Sequence, residues 1–202
     1  MRLLLWTFLT LALAAPALAQ TAQTPAALPE VPPREAVVFM RSVMEQVNPS
    51  IVIEDSHCAT NLPWAIIQQT RAIKMDWMEV FVLAWQESNF DCHAKSMKDR
   101  GGAYGPFQIR RVWESLIGDP RVRYYDPDLA VKRVTKILRY YGTSSRHDML
   151  VQRQFRYPML CLYNTGESRN VNMKYCKEVG RKMDAALKGW KDYQAGKLVA
   201  IR

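Results

Sequence analysis

Glu87 stands at the end of the apolar run "VLAWQESNF", residues 82–90, and a helix there would give its carboxyl a chemical role. At helical spacing its neighbours three, four and seven positions back are Ala84, Leu83 and Val80, all apolar. Glu79 and Gln86 then mark the face expected to meet solvent. A carboxyl group set in an apolar wall resists ionisation, so it holds its proton near neutral pH and can donate it. Such a protonated acid is what the leaving oxygen of a glycosidic bond needs. Two further stretches supply suitable company. "GGAYGPFQI", residues 101–109, sets backbone freedom and amide donors beside an apolar ring and the side-chain amide of Gln108. "CLYNTG", residues 161–166, gathers a phenol, an amide and a helix-breaking glycine. Aromatic faces with side-chain amides hold a pyranose ring and its N-acetyl group. Either stretch alone reads equally well as a tight turn or a helix cap.

The elements that must carry these residues are nearly all helical. Residues 35–47 place Val37, Val38, Met40, Val43, Met44 and Val47 at helical spacing. "TNLPWAIIQQTRAI" predicts a helix capped by Thr60 or Asn61, with Pro63 in its first turn and an end near Lys74. The next helix is expected over 76–88. Residues 98–109 read as a glycine-rich loop with one short hairpin, leading into a helix over "QIRRVWESLIG" that Gly118 ends. Asp126-Pro127 caps a helix ending at Tyr141-Gly142, and "HDMLVQRQFRYPMLCLYN" is a helix kinked or restarted at Pro158. Gly166 breaks it, and a last helix runs over 171–190. The fold class is mainly α: a single helical domain over 35–202 with little strand, its glycine-rich loop or hairpin beside the groove.

Residues 1–19 carry one basic residue, Arg2, an apolar segment from Leu3 to Leu13, and the small-x-small ending Ala17-Leu18-Ala19. This pattern is a secretory signal peptide, too short in its apolar part for a membrane span. Residues 20–34, rich in Pro and Ala, read as a flexible linker. Four cysteines remain, Cys58, Cys92, Cys161 and Cys176, and an even count in an exported chain implies two disulfides. Three pairings are possible, and Cys58–Cys92 with Cys161–Cys176 is preferred. A zinc site built on His57-Cys58 and Cys92-His93 is the rival, disfavoured because adjacent residues point apart. The formal charge of +9 becomes +8 without Arg2, which suits an anionic envelope polymer or membrane surface. No aromatic-basic interleaving or motif points to nucleic acid.

In this order the three segments resemble the lytic transglycosylases of the soluble type, relatives of goose-type lysozyme. That family ends an apolar helix with Glu-Ser, follows with Gly-Ala-x-Gly-x-x-Gln, and later has Tyr-Asn-x-Gly. Here these read Glu87-Ser88, then Gly102 to Gln108, then Tyr163 to Gly166. The likeness spans about residues 60–188 and implies an α+β lysozyme-like fold in the periplasm with peptidoglycan glycan strands as substrate. The Tyr-Asn-Thr-Gly form is most similar to the small enzymes that accompany type IV secretion and conjugation machines, implying a cell-envelope-spanning partner complex. One departure is notable: Arg110-Arg111 follow the glutamine segment where the family often has a proline.

The resemblance implies that Glu87 is the catalytic residue, with no metal or cofactor. Glu87 would protonate the bond between N-acetylmuramic acid (MurNAc) and N-acetylglucosamine (GlcNAc), then take a proton from the sugar's 6-hydroxyl to close a 1,6-anhydro ring. Ser88 would bond to the carboxyl or the sugar. Gln108, Tyr163 and Asn164 would orient ring and acetamide, and Tyr104, Gly105 and Phe107 would complete the groove. Asp91, Asp99, Glu114 and Glu167 lie near these motifs, but none stands where a second catalytic acid is required. Two other functions fit less of the sequence: a hydrolytic muramidase using Asp91 or another acid, and a non-catalytic peptidoglycan-binding module of a secretion apparatus.

Overall fold

The helix that carries Glu87, α4 (Trp77–Ser88), is enclosed by its neighbours: Met78 and every residue from Val80 to Trp85 are buried. Asp76 starts it by accepting a hydrogen bond from the Met78 N–H, and Asn89 ends it in the left-handed conformation. The computed structural model describes residues 33–97, 102–121, 126–166 and 171–197. Before α4 come α1 (Pro33–Val47), α2 (Pro49–Glu54) and α3 (Ser56–Ile73). After it come three two-residue strands, β1 (Lys95–Ser96), β2 (Ala103–Tyr104) and β3 (Ile109–Arg110). A 3₁₀ turn (Arg111–Trp113) leads into α5 (Glu114–Ile117), followed by α6 (Pro127–Gly142), α7 (Ser145–Gln152), α8 (Pro158–Thr165) and α9 (Met173–Gln194). The mainly helical class with a small sheet is as expected.

α4 packs on α9 and α3, and α3 in turn packs on α1 and α6. An aromatic cluster fills the junction at the start of α4. Phe39 meets Trp190 edge-on with ring centres 5.2 Å apart, and Trp77 meets the same indole at 5.6 Å. Two disulfides tie the framework in the preferred pairing. Cys58 of α3 joins Cys92 just after α4, and Cys161 of α8 joins Cys176 of α9. No helix among the described residues is long and apolar enough to cross a membrane.

Several boundaries differ from the sequence expectation. Pro33 and Arg34, assigned to the linker, form the first turn of α1, while residues 20–32 lie outside the described residues. α3 begins four residues before Thr60 because the Asp55 carboxylate caps it through the Cys58 N–H, which leaves Pro63 inside the helix. The helix expected over 108–118 is mostly strand and 3₁₀ turn, and only Glu114–Ile117 is α-helical. The chain restarts at Pro158, as a proline without an N–H permits at a first turn, and α9 continues to Gln194. Glu79 and Gln86 do not define a solvent face: both are partly buried, and each has a buried oxygen without a hydrogen-bond partner among the described residues.

The glycine-rich segment is a three-stranded antiparallel sheet and not one hairpin, with Ser96 opposite Ala103 and Ala103 opposite Arg110. Strands of two residues carry no readable period, so the third was not visible in the sequence. Gly102 has a positive φ of 76°, and a Cβ there would come within 2.9 Å of the Tyr104 hydroxyl. Lys98 to Gly101 lie outside the described residues.

Candidate active site

Glu87 lines an open cavity of about 200 Å³. Gln108, Tyr163 and Asn164 line the same cavity, so the sheet and α8 converge on the end of α4. These four residues were singled out from three separate segments of the sequence, and the fold brings them together.

The other four take different places. Ser88 is tied down by its hydroxyl, which donates to the Ala84 carbonyl at 3.2 Å and to the Pro106 carbonyl at 2.8 Å. It pins the glycine-rich loop to α4, and neither bond goes to the Glu87 carboxyl. Phe107 is fully buried in the core, so its ring does not line the cavity; its carbonyl accepts a hydrogen bond from the Tyr163 hydroxyl at 2.8 Å. Tyr104 is buried in the small sheet. Gly105 shapes the turn, with φ of 73°: its N–H donates to the Ala94 carbonyl at 2.9 Å, and its carbonyl accepts from the Gln108 side-chain amide at 3.0 Å. The loop is thus anchored at three points around the cavity.

Three residues that sequence reasoning did not select complete the surroundings of Glu87. Tyr175, on α9, donates its hydroxyl to the Glu87 carboxyl at 2.5 Å. Lys182, two helical turns further along the same face of α9, is buried, donates to the Trp85 carbonyl at 3.2 Å and lies over the Trp85 ring. Its charge sits where the last carbonyls of α4 are negative. Trp113 brings an indole to the cavity wall, held edge-on by Tyr140 and Tyr141. None of these belongs to the motif segments; only the packing of α9 and of the 3₁₀ turn delivers them.

Burial pushes the Glu87 carboxyl from its ordinary 4.5 up to about 7, while the Tyr175 hydrogen bond and the charges of Arg110 and Lys182 pull it the other way. Its place in the last turn of α4, beside outward-facing carbonyl ends, also favours the neutral form. Burial and the nearby Glu87 charge push the Tyr175 phenol well above its ordinary range, so Tyr175 stays a donor at working pH. The site therefore holds an acid poised between its two protonation states.

Among the described residues Glu87 is the one carboxylate on the cavity wall. Asp91 caps a turn through the His93 N–H at 2.7 Å, and Glu114 pairs with Arg111 at 3.1 Å. Asp99 and Glu167 lie outside the described residues. The Asp55, Cys58 and Cys92 ligand atoms lie within 4.8 Å of one another, but both sulfurs are in the disulfide and Asp55 pairs with His93.

Residues 65–186, more than half of the chain, match the family model of the transglycosylase SLT domain, from within α3 to within α9. The match contains every cavity residue named above. No curated protein and no solved structure gives a significant match.

Proposed function

Because the chain belongs to the transglycosylase SLT domain family, lytic transglycosylases acting on peptidoglycan, we propose that Glu87 serves that reaction first as acid and then as base. The observation that carries this reading is that, among the described residues, the cavity wall has a single carboxylate, set beside two amides, a phenol, an indole and the Arg110 guanidinium. Glycosidases that use water commonly need two carboxylates, about 5–9.5 Å apart. With one, the substrate must supply the rest.

In this scheme Glu87 gives its proton to the glycosidic oxygen between MurNAc and GlcNAc. The bond breaks as the substrate's own acetamide oxygen attacks the anomeric carbon, giving a cyclic cation and a Glu87 carboxylate. That carboxylate then removes the proton of the MurNAc 6-hydroxyl, whose oxygen displaces the acetamide and closes the 1,6-anhydro ring. No water is consumed, and Glu87 ends protonated. Tyr175 holds the carboxyl through its short hydrogen bond and steadies the charged form. Gln108 and Asn164 orient the acetamide, and Trp113 gives an apolar face to a sugar ring. Tyr163 and Ser88 act by fixing the loop through the Phe107 and Pro106 carbonyls.

Residues 1–19 fit export to the periplasm, where peptidoglycan lies, and the Tyr163–Gly166 form fits service to an envelope-spanning secretion or conjugation complex. Mass spectrometry of purified peptidoglycan digested by the protein tests the chemistry. Products ending in 1,6-anhydro-MurNAc are expected, and products with only reducing ends would establish hydrolysis instead.

A further inference from the structure

Tyr175, which donates its hydroxyl to the Glu87 carboxyl, is only the third residue of α9. The first N–H groups of a helix have no partner within it, so a first turn must be held from outside. Here the Tyr175 N–H donates to the Asn172 side chain at 3.1 Å, and the Asn172 amide donates in turn to Asn164 of α8 at 3.0 Å. That second bond lies on the surface, where water competes for it. The tie that water cannot loosen comes from the next residue. Cys176 is joined to Cys161, which stands on α8 two residues before Tyr163 and three before Asn164. α9 packs on both α4 and α8, and adjacent helical residues point about 100° apart. Tyr175 thus reaches α4 while Cys176 reaches α8. One covalent bond stands next to the donor of Glu87 on one helix and next to two residues of the cavity wall on the other.

We propose that the Cys161–Cys176 disulfide is a positioning element of the active site, keeping the Tyr175 hydroxyl on the Glu87 carboxyl and the α8 residues on the cavity wall. This rests on Glu87's being the acid of the reaction above. The titratable and charged groups that face Glu87 are Tyr175 and Lys182 from α9, Tyr163 from α8 and Arg110 from β3. Lys182 is held separately through the Trp85 carbonyl, Tyr163 through the Phe107 carbonyl, and Arg110 belongs to the sheet. Loss of the disulfide therefore acts on the Glu87 carboxyl through Tyr175. The other disulfide, Cys58–Cys92, joins α3 to the chain just after α4 and ties neither α8 nor α9, which makes it the internal control.

The test removes each disulfide in turn, as Cys161→Ala/Cys176→Ala and Cys58→Ala/Cys92→Ala, and follows the Glu87 carboxyl by carbon-13 NMR titration without substrate. Loss of Cys161–Cys176 should raise its midpoint by about one pH unit, the lower end of what a hydrogen bond to a charged group supplies. It should also lower kcat more than it raises KM. Loss of Cys58–Cys92 should leave the midpoint in place, and in the Tyr175→Phe background removal of Cys161–Cys176 should move it no further. A crosslink that only stabilised the fold would lower the melting temperature in both variants and shift neither midpoint. Where Cys161→Ala/Cys176→Ala does not fold, Cys58→Ala/Cys92→Ala titrated before and after dithiothreitol gives the same reading. Cys161 and Cys176 line an open cavity of about 340 Å³, within reach of a small dithiol. A midpoint that stays in place without Cys161–Cys176, or that rises as far in Tyr175→Phe when the bond is removed, would overturn the proposal while leaving Glu87 as the acid. A wild type that releases no glycan would overturn the reading of the site, and the positioning role with it, whatever the titration shows.

Discussion

Glu79 and Glu87 share α4, eight residues apart, and burial pushes both carboxyls from 4.5 up to about 7. Their surroundings differ. Next to Glu79 the negative charge of Asp76 adds to the rise, and one buried carboxyl oxygen has no hydrogen-bond partner among the described residues. Glu87 has a phenol donating to it, two cations within electrostatic reach, and an open cavity with two amides in front of it. The same displaced proton affinity thus marks a desolvated carboxyl in one place and the proposed acid in the other. Desolvation alone is not a signature of chemistry; the donor, the cations and the room for a ligand are what separate the two.

The comparison breaks first on activity. Glu87→Gln keeps shape and hydrogen bonding but has no proton to give, so glycan release should fall at least about a hundredfold, the usual minimum for a general acid. Glu79→Gln should release glycan at a rate close to that of the wild type under the same conditions. A comparable loss in both variants would mean that the helix as a whole, and not the site, had been disturbed.

The smaller effect is on stability. The Glu79 carboxyl binds its proton more tightly folded than unfolded, so between pH 4.5 and about 7 the folded state holds the extra proton. Stability from this group is present at pH 4.5 and is lost as pH rises through that window, by roughly 2 kcal/mol after allowance for its partial exposure. Glu79→Gln removes the loss. Urea unfolding should therefore show the variant more stable than the wild type at pH 8, with the difference shrinking toward pH 5. A difference that does not vary with pH would contradict the assignment.

Much of the fold and part of the site could be read from the chain because they are local. Periodic apolar residues announced α1 and α4, and Asp126-Pro127 announced the start of α6. Glu87, Gln108, Tyr163 and Asn164 lie in short segments whose residue types already suggest an amino-sugar groove. α2 and the true start of α3 were missed because the deciding contact is a single side-chain cap, from Asp55. Tyr175 was missed for a different reason. It lies 88 residues from Glu87, and along α9 it reads as one more core residue. Phe107 shows the opposite error: an aromatic ring in a motif was expected at the groove, and the fold uses its carbonyl there and buries its ring.

The central claim is that Glu87 holds a proton near neutral pH and can also give it up. The direct measurement is a carbon-13 NMR titration of the glutamate carboxyls in the Glu79→Gln background, with Glu87→Gln as the assignment control. A carboxyl titrating at about 7 is expected, absent from the control and moved upward by Tyr175→Phe, which removes the hydrogen bond that favours the charged form. Activity should fall as pH rises through that same midpoint. A Glu87 carboxyl that titrates at the ordinary 4.5 would contradict the account.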